Sequence, residues 1–293
     1  MSTQSERSSL KLLQNQPLAK YSTYNIGGPA DYFIEITTLD ELRLALQFAN
    51  DHQLPLFPLG KGSNTLFPDA GFRGMVLLFK LDTFAIKGSV VTAGAGFSFS
   101  LLGIKTAKEN LSGLEFASGI PGSVGGAVFM NAGAGGSEVQ DTLQSVTTMS
   151  RSGTLKKYRR NELTFSYRTS PFQKKDEIIV EASFLLVPNE GAKQEQSELL
   201  KYRMGTQPYK AKTIGCTFRN PVGGSAGKPI ETCGLKGYSI GGARVSPMHA
   251  NFIENYDNAT AEDVLALIKH IEKVIKQETG IQLEREIRTI SPL

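Results

Sequence analysis

No stretch of this 293-residue chain limits its fold as tightly as residues 112–136, SGLEFASGIPGSVGGAVFMNAGAGG. Glycine stands at 113, 119, 122, 125, 126, 133, 135 and 136, with Pro121 among them. Neither a helix nor an ordinary strand tolerates that density, because each glycine costs backbone entropy and leaves no side chain to pack. What the density permits is close approach of bare backbone, with amide groups free to point at a guest. Anions, phosphates above all, are the usual guests of such turns. A tight packing corner between two layers would also use glycine, and a single Gly pair would suggest no more than that. Here Gly-x-x-Gly-x-x-Gly-Gly runs into the apolar AVFM and a second turn, NAGAGG, which favours a cradle for cofactor phosphates.

The composition, 40% hydrophobic and 20% charged, is that of a globular protein, and the length admits two or more domains. A net charge of +4 suits anionic small molecules. The basic residues are scattered and do not interleave with aromatics, which argues against a nucleic-acid platform. No run approaches the roughly 18 apolar residues of a membrane span. The opening MSTQSERSSLKLLQNQPL lacks the apolar core of a signal peptide. Cys216 and Cys233 build no disulfide framework, so a cytoplasmic location is expected. His52, His249 and His270 show no metal spacing, and no metal is expected.

Thr38 and Glu41 form a capping box that starts a helix over 38–53, with Leu39, Leu42, Leu46 and Ala49 on one face. A strand over 54–59 leads into Gly60-Lys61-Gly62-Ser63-Asn64, which lacks the third glycine of a dinucleotide fingerprint. Further strands are predicted over 75–80, 90–93, 144–150 and 178–187, and a helix over 98–109. A domain boundary falls near 190–195, ahead of a polar helix over 194–203 and a loop-rich stretch over 205–230. Thr260 caps a long helix with Val264, Leu267, Ile268, Ile271, Val274 and Ile275 as its buried stripe, and Gly280 ends it. The tail LEREIRTI alternates as a strand, with Glu284, Glu286 and Arg288 on one face. Gly223–Gly227 matches a nucleophile elbow and Ser225–Lys228 matches Ser-x-x-Lys. Pro221 before and Pro229 after deny the elbow its strand and its helix, so both matches are set aside.

Three sites could carry chemistry. Tyr167-Arg168 is either a packing edge or an anion clamp. Cys216 is either an inert small hydrophobe or a reactive thiol. Glu286, beside Arg288 on the last strand, reads alone as half of a surface ion pair worth little. Spacing alone favours the bland reading at each site; their occurrence together with the glycine cradle changes that.

Taken together, the motifs resemble the UDP-N-acetylenolpyruvoylglucosamine reductase family. The matching stretches include IGGPADYF, PLGKGSNTLFPDAGFRGMVL, LSGLEFASGIPGSVGGAVFMNAGA, YRTSPF, GCTFRNP, AGKPIETCGLKGYSIGGARVSPMHANFI and LEREIRTI. They run in family order from about residue 22 to 290 and resemble the family's second, shorter type, which lacks an extra substrate-covering loop. The resemblance implies an α+β fold like that of vanillyl-alcohol oxidase and PCMH-type flavoproteins. Two α+β subdomains, 1–72 with a C-terminal strand 283–293 and then 73–192, would grip FAD. A third α+β domain, 193–282, would bind the substrate.

By the same resemblance Gly60, Lys61, Gly62, Ser63 and Asn64, with Gly119, Ile120, Pro121, Gly122, Ser123, Gly125 and Gly126, hold a non-covalent FAD. Arg168 meets the enolpyruvyl carboxylate, Cys216 is the proton donor and Glu286, if protonated, donates a hydrogen bond. Tyr167, Arg203 and Asn220 contact the substrate, with Arg203 matched to its diphosphate. NADPH and UDP-N-acetylglucosamine enolpyruvate are the implied substrates, and a monomer is expected. Cys216 stands where the family commonly has serine and Arg219 where it has lysine, while Asn25 and Gly135 replace a usual basic residue and a usual tyrosine. Two other readings are a related FAD oxidase and a nucleotide-sugar binder that has lost its flavin. Such oxidases often tether FAD through a histidine near the cradle, and no histidine stands between His52 and His249. Acid precipitation is therefore expected to release all of the flavin into the supernatant; yellow colour retained in the pellet would favour the oxidase.

Overall fold

The computed structural model describes residues 10–290. Its first unit runs β1 (Leu13–Pro17), β2 (Pro29–Ile36), α1 (Leu39–Asp51), β3 (Leu56–Leu59), β4 (Thr65–Leu66) and β5 (Phe72–Phe79). Four of these strands form a sheet in the order β1-β2-β5-β3, in which β5 is parallel to both its neighbours. A central parallel strand is covered on both faces and so reads as a continuous apolar run. In β5, Met75, Leu77 and Phe79 pack towards α1, while Val76 and Leu78 join Phe33 and Phe67 on the opposite face. The capping box of α1 forms as expected: Glu41 N donates to Thr38 Oγ1 at 3.1 Å and Thr38 N to Glu41 Oε2 at 3.1 Å.

The second unit is a five-stranded antiparallel sheet. It adds β6 (Phe84–Lys87), β7 (Val90–Gly94), α2 (Phe99–Lys108), α3 (Val124–Met130), β8 (Leu143–Ser150), β9 (Leu155–Arg159) and β10 (Glu177–Leu185), with strand order β9-β8-β10-β7-β6. The expected boundary at 72 is too early. Pairing of β5 with β2 and β3 keeps the chain in the first sheet through Phe79. The boundary near 193 also shifts, because α4 (Ala192–Thr206) packs against α2 and the short 3-10 turn Glu115–Gly119 of the second unit.

The last unit holds α5 (Gly227–Thr232), a small antiparallel sheet of β11 (Ser239–Ile240), β12 (Ala243–Val245) and β13 (Ile253–Asn255), and the long α6 (Ala261–Thr279). Val264, Leu267, Ile268, Ile271 and Ile275 are buried as expected, while Val274 is half-buried. The helix ends where Gly280 turns left-handed at φ 73°. A helix does follow GGSAG, contrary to expectation, because Pro229 sits in the first turn of α5, where its missing N–H costs nothing. No strand precedes it among the described residues, so there is still no elbow.

The tail is not the expected strand over 283–293. Only β14 (Arg288–Thr289) is a strand, running parallel to β4, and 291–293 lie outside the described residues. The chain changes partners on the way: Arg219 N donates to the Glu284 carbonyl and Glu286 N to the Thr217 carbonyl, each at 2.8 Å, before Arg288 N donates to the Asn64 carbonyl at 3.0 Å. No single neighbour accompanies it long enough for a ladder. Among the described residues no helix is long and apolar enough to cross a membrane, and no cluster of ligating side chains could hold a metal.

The first and last units are tied together at the start of α6. Both carboxylate oxygens of Asp69 accept from Ala261 N, at 3.0 and 2.9 Å, and Oδ2 also accepts from Glu262 N at 3.3 Å. A carboxylate there satisfies free amides and complements the helix dipole. Asp69→Ala is expected to lower unfolding free energy by about 1 kcal/mol in a urea melt, the usual worth of a lost cap.

Candidate active site

A cavity of about 580 Å³ opens where these units meet. Its cradle is built from two loops in contact. A Cβ on Gly60 would lie 2.2 Å from Ser123 Oγ, so the first turn reaches the second loop only as bare backbone. The amides of Lys61, Gly62, Ser63 and Asn64 donate to no group among the described residues and are free for a guest. The second loop runs straight into α3, a helix that the glycine density was expected to exclude. It forms because Ser123 caps it and the apolar AVFM run packs. Most amides of the loop are already engaged. Val124 N donates to the Phe97 carbonyl and Gly125 N to the Ala95 carbonyl, both at 2.9 Å, and Gly126 N donates to Ser123 Oγ. The free amides thus concentrate in the first turn, and the second loop supplies shape. All the anticipated cradle residues line the cavity except Gly119, which is covered by Arg203 and Tyr209.

The lining also contains residues that spacing did not single out for the cofactor. The Thr213 hydroxyl is buried there with no partner. Arg288, noted only for its side of the tail, lies with its guanidinium 4.6 Å from the Phe129 ring centre, and burial lowers its pKa. Free amides, an orphaned hydroxyl and a cation against an aromatic wall fit an elongated anionic cofactor such as FAD. No motif marks Thr213, and Arg288 lies in the LEREIRTI stretch without being singled out; each enters the cavity through tertiary placement.

At the same cavity three distant segments meet. Ser166 and Thr169 pair across a tight turn whose second corner, Arg168, has φ 55°. That left-handed conformation favours glycine or asparagine, so an arginine there is strained. Arg168 Nε donates to Glu286 Oε1 at 2.8 Å and its Nη2 to the Gly133 carbonyl at 3.0 Å. Burial works against the Arg168 charge, but the Glu286 carboxylate outweighs it and holds the guanidinium above its ordinary pKa. In this contact Glu286 Oε1 is the acceptor. Asn64 steadies it by donating from Nδ2 to the Glu286 carbonyl at 3.3 Å. Glu284 is separated from it: its carboxylate is 70% exposed, pairs with Arg219 at 2.7 Å and does not line the cavity.

Cys216 is half-buried in the cavity wall, beside Phe252. Burial first, and then the negative charge of Glu286, push its thiol up to about 12, while Arg168 and Arg203 pull the other way. Of the anticipated substrate contacts, only Arg203 lines the cavity. Tyr167 and Asn220 do not. The Tyr167 ring lies 4.9 Å from the Arg168 guanidinium and 5.7 Å from that of Arg219, and its hydroxyl accepts from Asn220 N at 3.3 Å. Asn220 Oδ1 accepts from Ala226 N at 3.1 Å.

Comparison with known proteins identifies the family. Residues 30–159 match the family model of an FAD binding domain, and residues 207–290 match that of the UDP-N-acetylenolpyruvoylglucosamine reductase C-terminal domain. The reductase of Protochlamydia amoebophila (strain UWE25) is 51% identical over 274 residues, 93% of this chain and 92% of that protein. The chain belongs to the UDP-N-acetylenolpyruvoylglucosamine reductase family. The Chlamydia muridarum (strain MoPn / Nigg) reductase is 47% identical over 279 residues, 94% of each chain. The crystal structure of the reductase from Thermus caldophilus superposes with a TM-score of 0.82 at 35% identity, covering 96% of this chain and 99% of that one.

The Cys216 environment has a measurable consequence in this family member. An unfolded thiol ionises near ~8.5, whereas the folded one keeps its proton to about 12. The unfolded state therefore binds fewer protons in between, and the stability contributed by the neutral thiol, complete below about 8.5, is lost as pH rises towards 12. Urea melts at pH values of about 8 and 10 are expected to show a shallower loss of stability for Cys216→Ser than for the wild type.

Proposed function

We propose that this chain catalyses the NADPH-dependent, FAD-mediated reduction of UDP-N-acetylglucosamine enolpyruvate to UDP-N-acetylmuramate for peptidoglycan synthesis, acting as a cytoplasmic monomer. The observation that carries the reading is the meeting of Arg168, Glu286 and Cys216 in one cavity with the Lys61–Asn64 amides, in a chain of this family. FAD, when bound, supplies a two-electron carrier between NADPH and the enolpyruvyl double bond. The free amides of Lys61, Gly62, Ser63 and Asn64 hold its diphosphate. The loop from Ile120 to Gly126 shapes the floor, with Thr213 and Arg288 on the walls.

Hydride addition at the vinyl methylene leaves negative charge on the carbon beside the substrate carboxylate. Arg168 meets that charge. Its Nε and Nη2 are fixed by Glu286 and Gly133, which leaves Nη1 to face the carboxylate without reorganising. Preorganised donors of this kind are usually the largest catalytic contribution. Glu286 sets the angle of the guanidinium, and Cys216 gives its proton to the charged carbon. A thiol held protonated to about 12 is loaded with its proton at any physiological pH. The substitution of cysteine for serine therefore preserves the role with a stronger acid. Arg203 acts on the substrate from the cavity lining, Tyr167 from the turn that carries Arg168, and Asn220 from beside that turn.

A visible spectrum tests this reading. The purified protein is expected to be yellow, to bleach with NADPH and to recover its colour on addition of the enolpyruvyl substrate. Cys216→Ala is expected to bleach at the wild-type rate but recover roughly a hundred- to ten-thousand-fold more slowly, the usual contribution of a positioned acid. Wild-type recovery in that variant would remove Cys216 from the mechanism.

A further inference from the structure

Part of the cavity wall is made by the end of α4 and the residues just after it. This polar helix lies on the 3-10 turn that closes at Gly119, immediately before the second cradle loop. From its last turn Arg203 donates through Nε to the Tyr209 hydroxyl at 3.1 Å and through Nη2 to Gln207 Oε1 at 3.0 Å. The same Tyr209 hydroxyl donates to the Gly119 carbonyl. One phenol thus accepts from the guanidinium and donates to the cofactor loop, spending both of its capacities. The contact needs a bare backbone. A Cβ on Gly119 would lie 2.7 Å from Arg203 Cδ and Nε and 2.9 Å from the Tyr209 hydroxyl.

We propose that Tyr209 is a positioning residue, which ties Arg203 to the Gly119 carbonyl and so keeps that guanidinium at the Cys216 end of the cavity. The inference rests on the reductase reading above. In the protonation step the S–H bond of Cys216 breaks, a C–H bond forms on the substrate, and negative charge moves from carbon to sulfur; solvent later returns the proton. The charged groups facing Cys216 are Glu286, which opposes a thiolate, and Arg168 and Arg203, which favour it. Arg168 is committed to the Glu286 carboxylate as well as to the substrate, whereas Arg203 has only neutral partners among the described residues. Beside its substrate contact its charge can therefore also favour the thiolate, and its placement matters in the step that forms one. Flavin reduction by NADPH forms no thiolate and does not depend on it.

Tyr209→Phe keeps the ring and removes the tie. In the FAD-loaded variant, flavin content and the rate of bleaching by NADPH are expected within twofold of wild type, while turnover with the enolpyruvyl substrate falls at least tenfold. In an Arg203→Met background the same substitution is expected to change turnover less than twofold, because a residue acting through Arg203 has nothing left to position. Alkylation of Cys216 by iodoacetamide near pH 9, followed on its peptide by mass spectrometry, is expected to slow at least threefold in Tyr209→Phe. Gly119→Ala, at a backbone conformation that any residue adopts, is expected to slow that alkylation likewise by displacing both side chains. Additive losses in the double variant, flavin loss from Tyr209→Phe, or unchanged or faster alkylation would each overturn the proposal. If the wild type fails to turn over the substrate, the reductase reading falls, and the alkylation rates still decide the link from Tyr209 to Arg203.

Discussion

A guanidinium and a carboxylate drawn from positions 118 residues apart meet at 2.8 Å in the Arg168–Glu286 pair, and the catalytic geometry is organised around that meeting. Each side chain is largely withdrawn from water, at 18% and 14% exposure, so neither charge could remain there without the other. The pair draws together the strained turn at Arg168, the carbonyl of Gly133 and the C-terminal tail. The tail is held in turn by Thr217 and Asn64. An interaction so placed contributes less to net stability than to the arrangement of three segments around one small volume.

Bare backbone supplies the rest of the site. Gly60 lets the first turn touch Ser123, and Gly119 lets Arg203 and Tyr209 lie flat on the second loop. These close contacts explain the glycine density better than phosphate binding alone, since the amides of Val124, Gly125 and Gly126 are spent inside the protein. The anion-binding amides belong mainly to the shorter Gly60–Asn64 turn, whose motif looked weaker. Burial and the Glu286 carboxylate hold the Cys216 thiol neutral, against the pull of Arg168 and Arg203.

Much of the architecture was legible from the residues. The capping box at Thr38, the cap at Thr260, the stripe of α6 and its end at Gly280 are local features, and each appears in place. The two domain boundaries slipped, because β5 and α4 follow tertiary partners that no local signal announces. The tail misled for a related reason. Period-two alternation placed Glu284 and Glu286 on one face, but the chain leaves the Phe218 segment for β4 just after Glu286, and one carboxylate turns out to Arg219 while the other turns in to Arg168.

By itself the sequence determined where α1 and α6 start and stop, which loops must be bare backbone, and which family the chain resembles. Those properties depend on residue type within a turn or two, or on motifs in fixed order. Only the tertiary structure decided which glutamate enters the cavity, which amides are left free, that Thr213 and Arg288 line the cavity, and that Tyr209 bridges Arg203 to Gly119. Each of these depends on which distant segment happens to lie alongside, and a hydrogen bond or an ion pair is specified by distance in space and not by distance along the chain.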